Sequence, residues 1–150
     1  MTHQELKEAV KTAMKNKEAV KLTVLRGIMS AATNELVAKG HKPDEMLADE
    51  ELLTVITRAA KQRKDSIEQF TQGGREDLAT SEKEELAIIE ELLPPQMSES
   101  EVEEAVKAKA AEMGVTDKTG ANKLMGMLMK DLKGRADGTV VKAVVDRMFA

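Results

Sequence analysis

Three observations predict an all-α protein. Apolar residues recur at three- and four-residue spacing through most of the chain, β-branched residues never form a sustained alternating run, and Gly or Pro marks the end of most of the periodic stretches. The expected organisation is a helical N-terminal domain, residues 1–95, followed by a small three-helix C-terminal module, residues 96–150. A chain of 150 residues buries roughly 70% of its unfolded surface on folding, enough for a real core. That core must be aliphatic, because the sequence has two Phe and neither Trp nor Tyr.

The elements follow in order. Thr2 with Glu5 three residues on is a capping box, and Leu6, Val10, Ala13 and Met14 then keep helical spacing, which predicts a helix over 3–16. A second carries Leu22, Leu25, Met29, Ala32 and Leu36 and stops at Gly40, with His41, Lys42 and Pro43 as loop. A third starts near Asp49, whose carboxylate is expected to cap it, and runs through Leu52, Ile56, Ala60, Ile67 and Phe70 to Gly73 and Gly74. A fourth spans 76–93. Pro94 and Pro95 break it, since proline lacks an amide hydrogen and pushes the preceding residue out of helical geometry. Beyond them, Ser98 with Glu101 makes a second capping box for a helix that Gly114 ends. A helix over 120–133 stops at Gly134, and the last starts after Asp137 with Val140, Val141, Val144, Val145 and Met148 as its apolar positions.

Composition excludes several function classes. With no cysteine there are no disulfides, thiolate ligands or thiol nucleophiles, and no apolar stretch approaches 18 residues, so the expected location is cytoplasmic and no membrane partner is expected. His3 and His41 have no second His or Cys at ligand spacing, so no metal site is expected and both read as solvated. Adjacent glutamates such as Glu84 and Glu85, or Glu103 and Glu104, point apart on a helix, and no serine stands beside an activating base. Gly120 to Gly126 lacks the strand and lysine of a phosphate-binding loop. No catalytic residue and no cofactor are therefore assigned.

The net charge of −4 conceals an uneven distribution. Residues 1–26 carry six basic and three acidic side chains, residues 114–150 seven and four, and the middle is acidic. On the third helix Arg63 falls within roughly 20° of Ile56 at 100° per residue, which points a charge into a packing face. It serves either as an interhelical ion-pair partner or, with Arg58, Lys61 and Lys64, as an anion-binding cluster. On the helix from 120 to 133, Ala121, Leu124, Leu128 and Leu132 form an apolar face beside Met125 and Met129. The opposite face collects Lys123, Gly126, Met127, Lys130 and Lys133, with Arg135 in the loop beyond. Lysines flanking a bare glycine suit a phosphate backbone, although solvated lysines near a helix end also suit the helix dipole. Lacking Trp and Tyr, such a face is expected to read backbone and shape rather than stacked bases.

The stretch KLMGMLMKDLKGRADGTVVKAVV at 123–145 resembles the signature of the GatB/YqeY family. VLRGIMSA at 24–31, KQRKDSIEQF at 61–70, GREDLA at 74–79 and ELLPPQ at 91–96 are similar to the stand-alone YqeY-like proteins. The resemblance implies a C-terminal module like the tail of the GatB subunit of glutamine-dependent amidotransferases, which contributes tRNA recognition while the chemistry lies elsewhere. Mapped here, that role falls on Lys123, Gly126, Lys130, Lys133, Arg135 and Gly138, with Asn122 where the family usually has glycine. The implied partners are tRNA or another structured RNA, in company with an amidotransferase or aminoacyl-tRNA synthetase complex. The expected function is that of an accessory RNA-binding protein without chemistry of its own. The alternatives are an adaptor that docks a partner enzyme and, through family association alone, participation in carbon–nitrogen ligation with glutamine as amido-N-donor.

Overall fold

The computed structural model describes residues 1–149, and these form seven α-helices with one short 3-10 turn and no strand. The chain divides into two compact units, Met1–Leu93 and Pro94–Ala150.

The first unit contains α1 (His3–Lys15), α2 (Ala19–Ala38), α3 (Asp49–Gln72) and α4 (Glu76–Glu91). Thr2 caps α1 as its spacing predicts: the Glu5 amide donates to Thr2 Oγ1 (3.1 Å), and the Thr2 amide donates to Glu5 Oε2 (2.7 Å). Asp49 does not cap α3. It is the first helical residue, and Glu51 Oε1 instead accepts from the Ala48 amide (3.4 Å). α3 and α4 form a helical hairpin, α1 packs on α2, and α2 touches both arms of the hairpin. Their shared core is aliphatic: Leu6 and Ala13 from α1, Leu25, Ile28, Ala32 and Leu36 from α2, Leu52, Val55, Ile56 and Ala60 from α3, and Ile89 from α4. Ile67 and Phe70, towards the hairpin tip, are only half-buried.

His3 overturns the expectation of a solvated residue. It is 3% exposed, because the loop after α2 folds back over the start of α1 and puts Leu47 into the core. The Leu47 amide donates to His3 Nδ1 (3.0 Å). A buried loop amide needs a partner, and the imidazole provides it only while Nδ1 carries no proton.

The second unit contains α5 (Glu99–Met113), a 3-10 turn (Lys118–Gly120), α6 (Ala121–Asp131) and α7 (Gly138–Met148). Ser98 completes the expected capping box on α5, with the Glu101 amide on Ser98 Oγ (3.2 Å) and the Ser98 amide on Glu101 Oε2 (2.7 Å). Asp137 caps α7 through the Thr139 amide (2.8 Å). Val102, Val106 and Ala110 of α5, Leu124 and Leu128 of α6, Leu132 just beyond it, and Val141, Val144 and Val145 of α7 meet in one core. The extended segment before α5 is stitched to the α6–α7 loop. The Met97 amide donates to the Arg135 carbonyl (2.8 Å), and Gln96 Nε2 donates to the carbonyls of Gly134 and Pro94 (2.8 Å each). Gly134 is buried at φ 77°, a conformation that strains any residue with a Cβ.

Burial, and then the charge of Lys7, hold the His3 pKa below its ordinary value of 6.5. A group whose folded pKa is depressed in this way binds more protons in the unfolded chain between the two pKa values. Its stabilising contribution is therefore complete above pH 6.5 and is lost as pH falls from there towards the folded pKa. The stability of the wild type measured by urea unfolding should fall as pH drops through that window. His3→Asn, which keeps an acceptor near the Nδ1 position, should show a flatter slope, and identical slopes would contradict the assignment.

Candidate nucleic-acid interface

Two groups of cations are built differently. In the first unit, Arg63 leaves α3 half-buried and meets α4: its Nε lies 2.9 Å from Glu85 Oε2 and 3.6 Å from Glu82 Oε2. Neither contact has the alignment of a hydrogen bond, so the attraction is ionic rather than directional. Arg58 pairs with Glu35 of α2 (3.4 Å), and Lys64 also interacts within the structure. Lys61 is exposed. The cluster read from sequence is thus divided, and at least Arg58 and Arg63 spend their charge between helices.

In the second unit the cations on α6 are different. Lys123, Gly126 and Lys130 lie at i, i+3 and i+7 on one exposed side of the helix, because Leu124 and Leu128 commit the other side to the core. α6 ends at Asp131, two residues short of the expected Lys133, so Lys133 and Arg135 project from the loop that Gln96 and Met97 hold in place. Both are exposed. Among the described residues of this unit Lys123, Lys130, Lys133 and the Arg135 side chain have no ion-pair partner, nor do Lys107 and Lys118, whereas Lys109, Lys142 and Arg147 all do. The hydrogen bond from Lys109 to Asp131 raises the pKa of that lysine.

The two glycines have different surroundings. A Cβ at Gly126 would meet nothing within 4 Å, while a Cβ at Gly138 would come 2.9 Å from Met129 Cε. Gly138 is half-buried at the start of α7, and its missing side chain makes room for Met129 of α6. Asn122 is exposed in the first turn of α6.

Sequence reasoning missed an open cleft of about 320 Å³ beside this face, lined by residues of α5, the 3-10 turn and α6. The one signal was Met127, an apolar residue on an otherwise polar side. No group of three or more His, Asp or Glu among the described residues is placed to hold a metal ion, and no helix among them is long and apolar enough to cross a membrane.

Fold and site together define an all-helical protein whose C-terminal unit presents uncompensated cations around a bare glycine. The chain belongs to the family described as Yqey-like protein, whose model matches residues 3–149. Among curated relatives it is similar to "Altered inheritance of mitochondria protein 41, mitochondrial" of Lachancea thermotolerans, at 32% identity over 96% of this chain and 79% of the relative. The proteins of that name from Pyrenophora tritici-repentis (33%, covering 87% of this chain and 71% of the relative) and Candida glabrata (38%, 71% and 57%) are also similar. These names overturn the cytoplasmic expectation, since the relatives are named as mitochondrial. A composition without cysteine and without a long apolar stretch does not distinguish one aqueous compartment from another.

Arg63→Met keeps the packed stem but leaves Glu82 and Glu85 facing each other without their cation. Because all three side chains keep partial solvent access, the loss of stability should be about 1–2 kcal/mol, below the cost of breaking a fully buried pair. Adding Glu82→Gln and Glu85→Gln to Arg63→Met should recover most of it in urea denaturation. No recovery would mean that the charge is not what Arg63 contributes.

Proposed function

We propose that this protein is an accessory RNA-binding protein, for tRNA or a similarly structured RNA, that uses the exposed side of α6 and the loop after it. The observation that carries this reading is Gly126. A glycine inside a helix costs about 1 kcal/mol relative to alanine, and nothing within the chain needs the space, since its Cβ position is open. A bare patch of helix backbone between two unpaired lysines, Lys123 and Lys130, suits a partner that comes close and carries negative charge.

The start of α6 supports the same chemistry. It has no acidic residue in its first turn, as in α2 and α7 but unlike α1, α3, α4 and α5. Lys123 sits there instead, against the sense of the helix dipole, and because the amides of Thr119 and Ala121 are already taken by Asp117 and the Lys118 carbonyl, a phosphate would be held there by the lysine. This is also the role that the resemblance to the amidotransferase tail implies. The relatives' names state an effect on mitochondrial inheritance and no molecular activity, so the reading rests on the site. The exposed Met129 and Val140 favour a second reading, an adaptor that docks a protein.

The two readings separate in titrations of unfractionated tRNA at several salt concentrations. Combining Lys123→Ala, Lys130→Ala and Arg135→Ala should flatten the plot of log affinity against log salt by roughly two to three units, with stability changed by no more than about 0.5 kcal/mol. Wild-type affinity in that variant at the same salt would remove RNA from this face and leave the adaptor. Gly126→Ala should act in opposite directions on two measurements, raising stability by about 1 kcal/mol while weakening tRNA binding. Stabilisation with unchanged binding would deprive the glycine of its role.

A further inference from the structure

The cleft beside α6 is not explained by phosphate binding. Its lining is mostly apolar, with Met113, Val115 and Met127 contributing hydrocarbon and thioether surface and Lys109, Glu112 and Lys123 contributing charge. Lys109 is occupied by Asp131 at 2.7 Å and Glu112 at 3.5 Å. Lys123 has no ion-pair partner among the described residues and belongs both to the cleft and to the basic side of α6. Met127, one turn beyond Lys123, is 39% exposed.

We infer that this cleft receives one unpaired nucleobase of the RNA whose backbone lies along α6, an inference that rests on the RNA-binding reading. Continuity through Lys123 is the first argument: a lysine that holds a phosphate stands at the edge of the space into which the neighbouring base can turn. Size is the second. At about 320 Å³ the cleft is at the lower end of the range for small-ligand sites, roughly 300–1,000 Å³, and does not accommodate a partner helix about 10 Å across. Chemistry is the third. Methionine sulfur makes favourable contacts with aromatic rings, and Met113 and Met127 thereby supply the base-facing surface that a chain without Trp or Tyr otherwise lacks. The Glu112 carboxylate offers acceptors to the amino edge of a base. Contact with an unpaired base thus adds to the backbone and shape recognition expected from composition.

Two synthetic RNAs of equal length and charge test this, a hairpin with an unpaired loop and a blunt duplex. The intact protein should bind the hairpin about five- to tenfold more tightly than the duplex. Met127→Ser should abolish that preference while leaving duplex affinity and salt slope unchanged, and Lys123→Ala should weaken both RNAs and flatten both slopes. Independently of any variant, the hairpin but not the duplex should slow peroxide oxidation of Met127, read by mass spectrometry. Salt-dependent binding of both RNAs with no preference, or with a preference that survives Met127→Ser, overturns the base site and leaves the RNA reading standing. Binding of neither RNA overturns both.

Discussion

Burial of a narrow aliphatic stripe from each of three short helices determines the direction of the charged side chains that those helices carry in the C-terminal unit. α6 has only eleven residues, and Leu124 and Leu128 are its fully buried positions. With that side committed to Val102, Val106, Val141 and Val144, the helix has no rotational freedom left, and Lys123 and Lys130 are held outward. A larger core would tolerate several rotations of such a helix. This one is built from valine, leucine and alanine, and its close packing leaves little space for an alternative arrangement.

The same physics sorts cations by what lies opposite them. Arg63 points at a packing face and meets Glu82 and Glu85 there, so its charge is used between helices. The α6 lysines point at solvent, and several acidic side chains of the unit are engaged elsewhere, Glu99 and Glu103 with Arg147 and Asp131 with Lys109. Surface ion pairs contribute little to stability. Their distribution nevertheless decides where positive potential is left over, and here it is left around Gly126.

Sequence made the helices and the α6 face legible because their determinants are local. A capping box spans four residues and an amphipathic period spans two turns, so Thr2, Ser98, Lys123 and Lys130 needed no knowledge of the rest of the chain. What was not legible depends on distant partners. His3 is buried by a loop 44 positions away. Gly138 makes room for Met129 on another helix, and the cleft exists only because α5 and α6 are brought together. The shorter α6 and the Glu51 contact at the start of α3 are smaller cases, in which neighbouring residues compete for a helix end and tertiary packing selects among them.

The hydrogen bond between His3 and Leu47 also bears on how the chain folds as it is made. α1 is a short helix, marginal by itself in water, and its first turn is covered only by a residue 44 positions later. During synthesis, at roughly 5–20 residues per second, the N-terminal helix therefore emerges a few seconds before the segment that seals it. Through that interval His3 lacks its partner, so the first turn of α1 reaches its native surroundings only after the loop beyond α2 has been made.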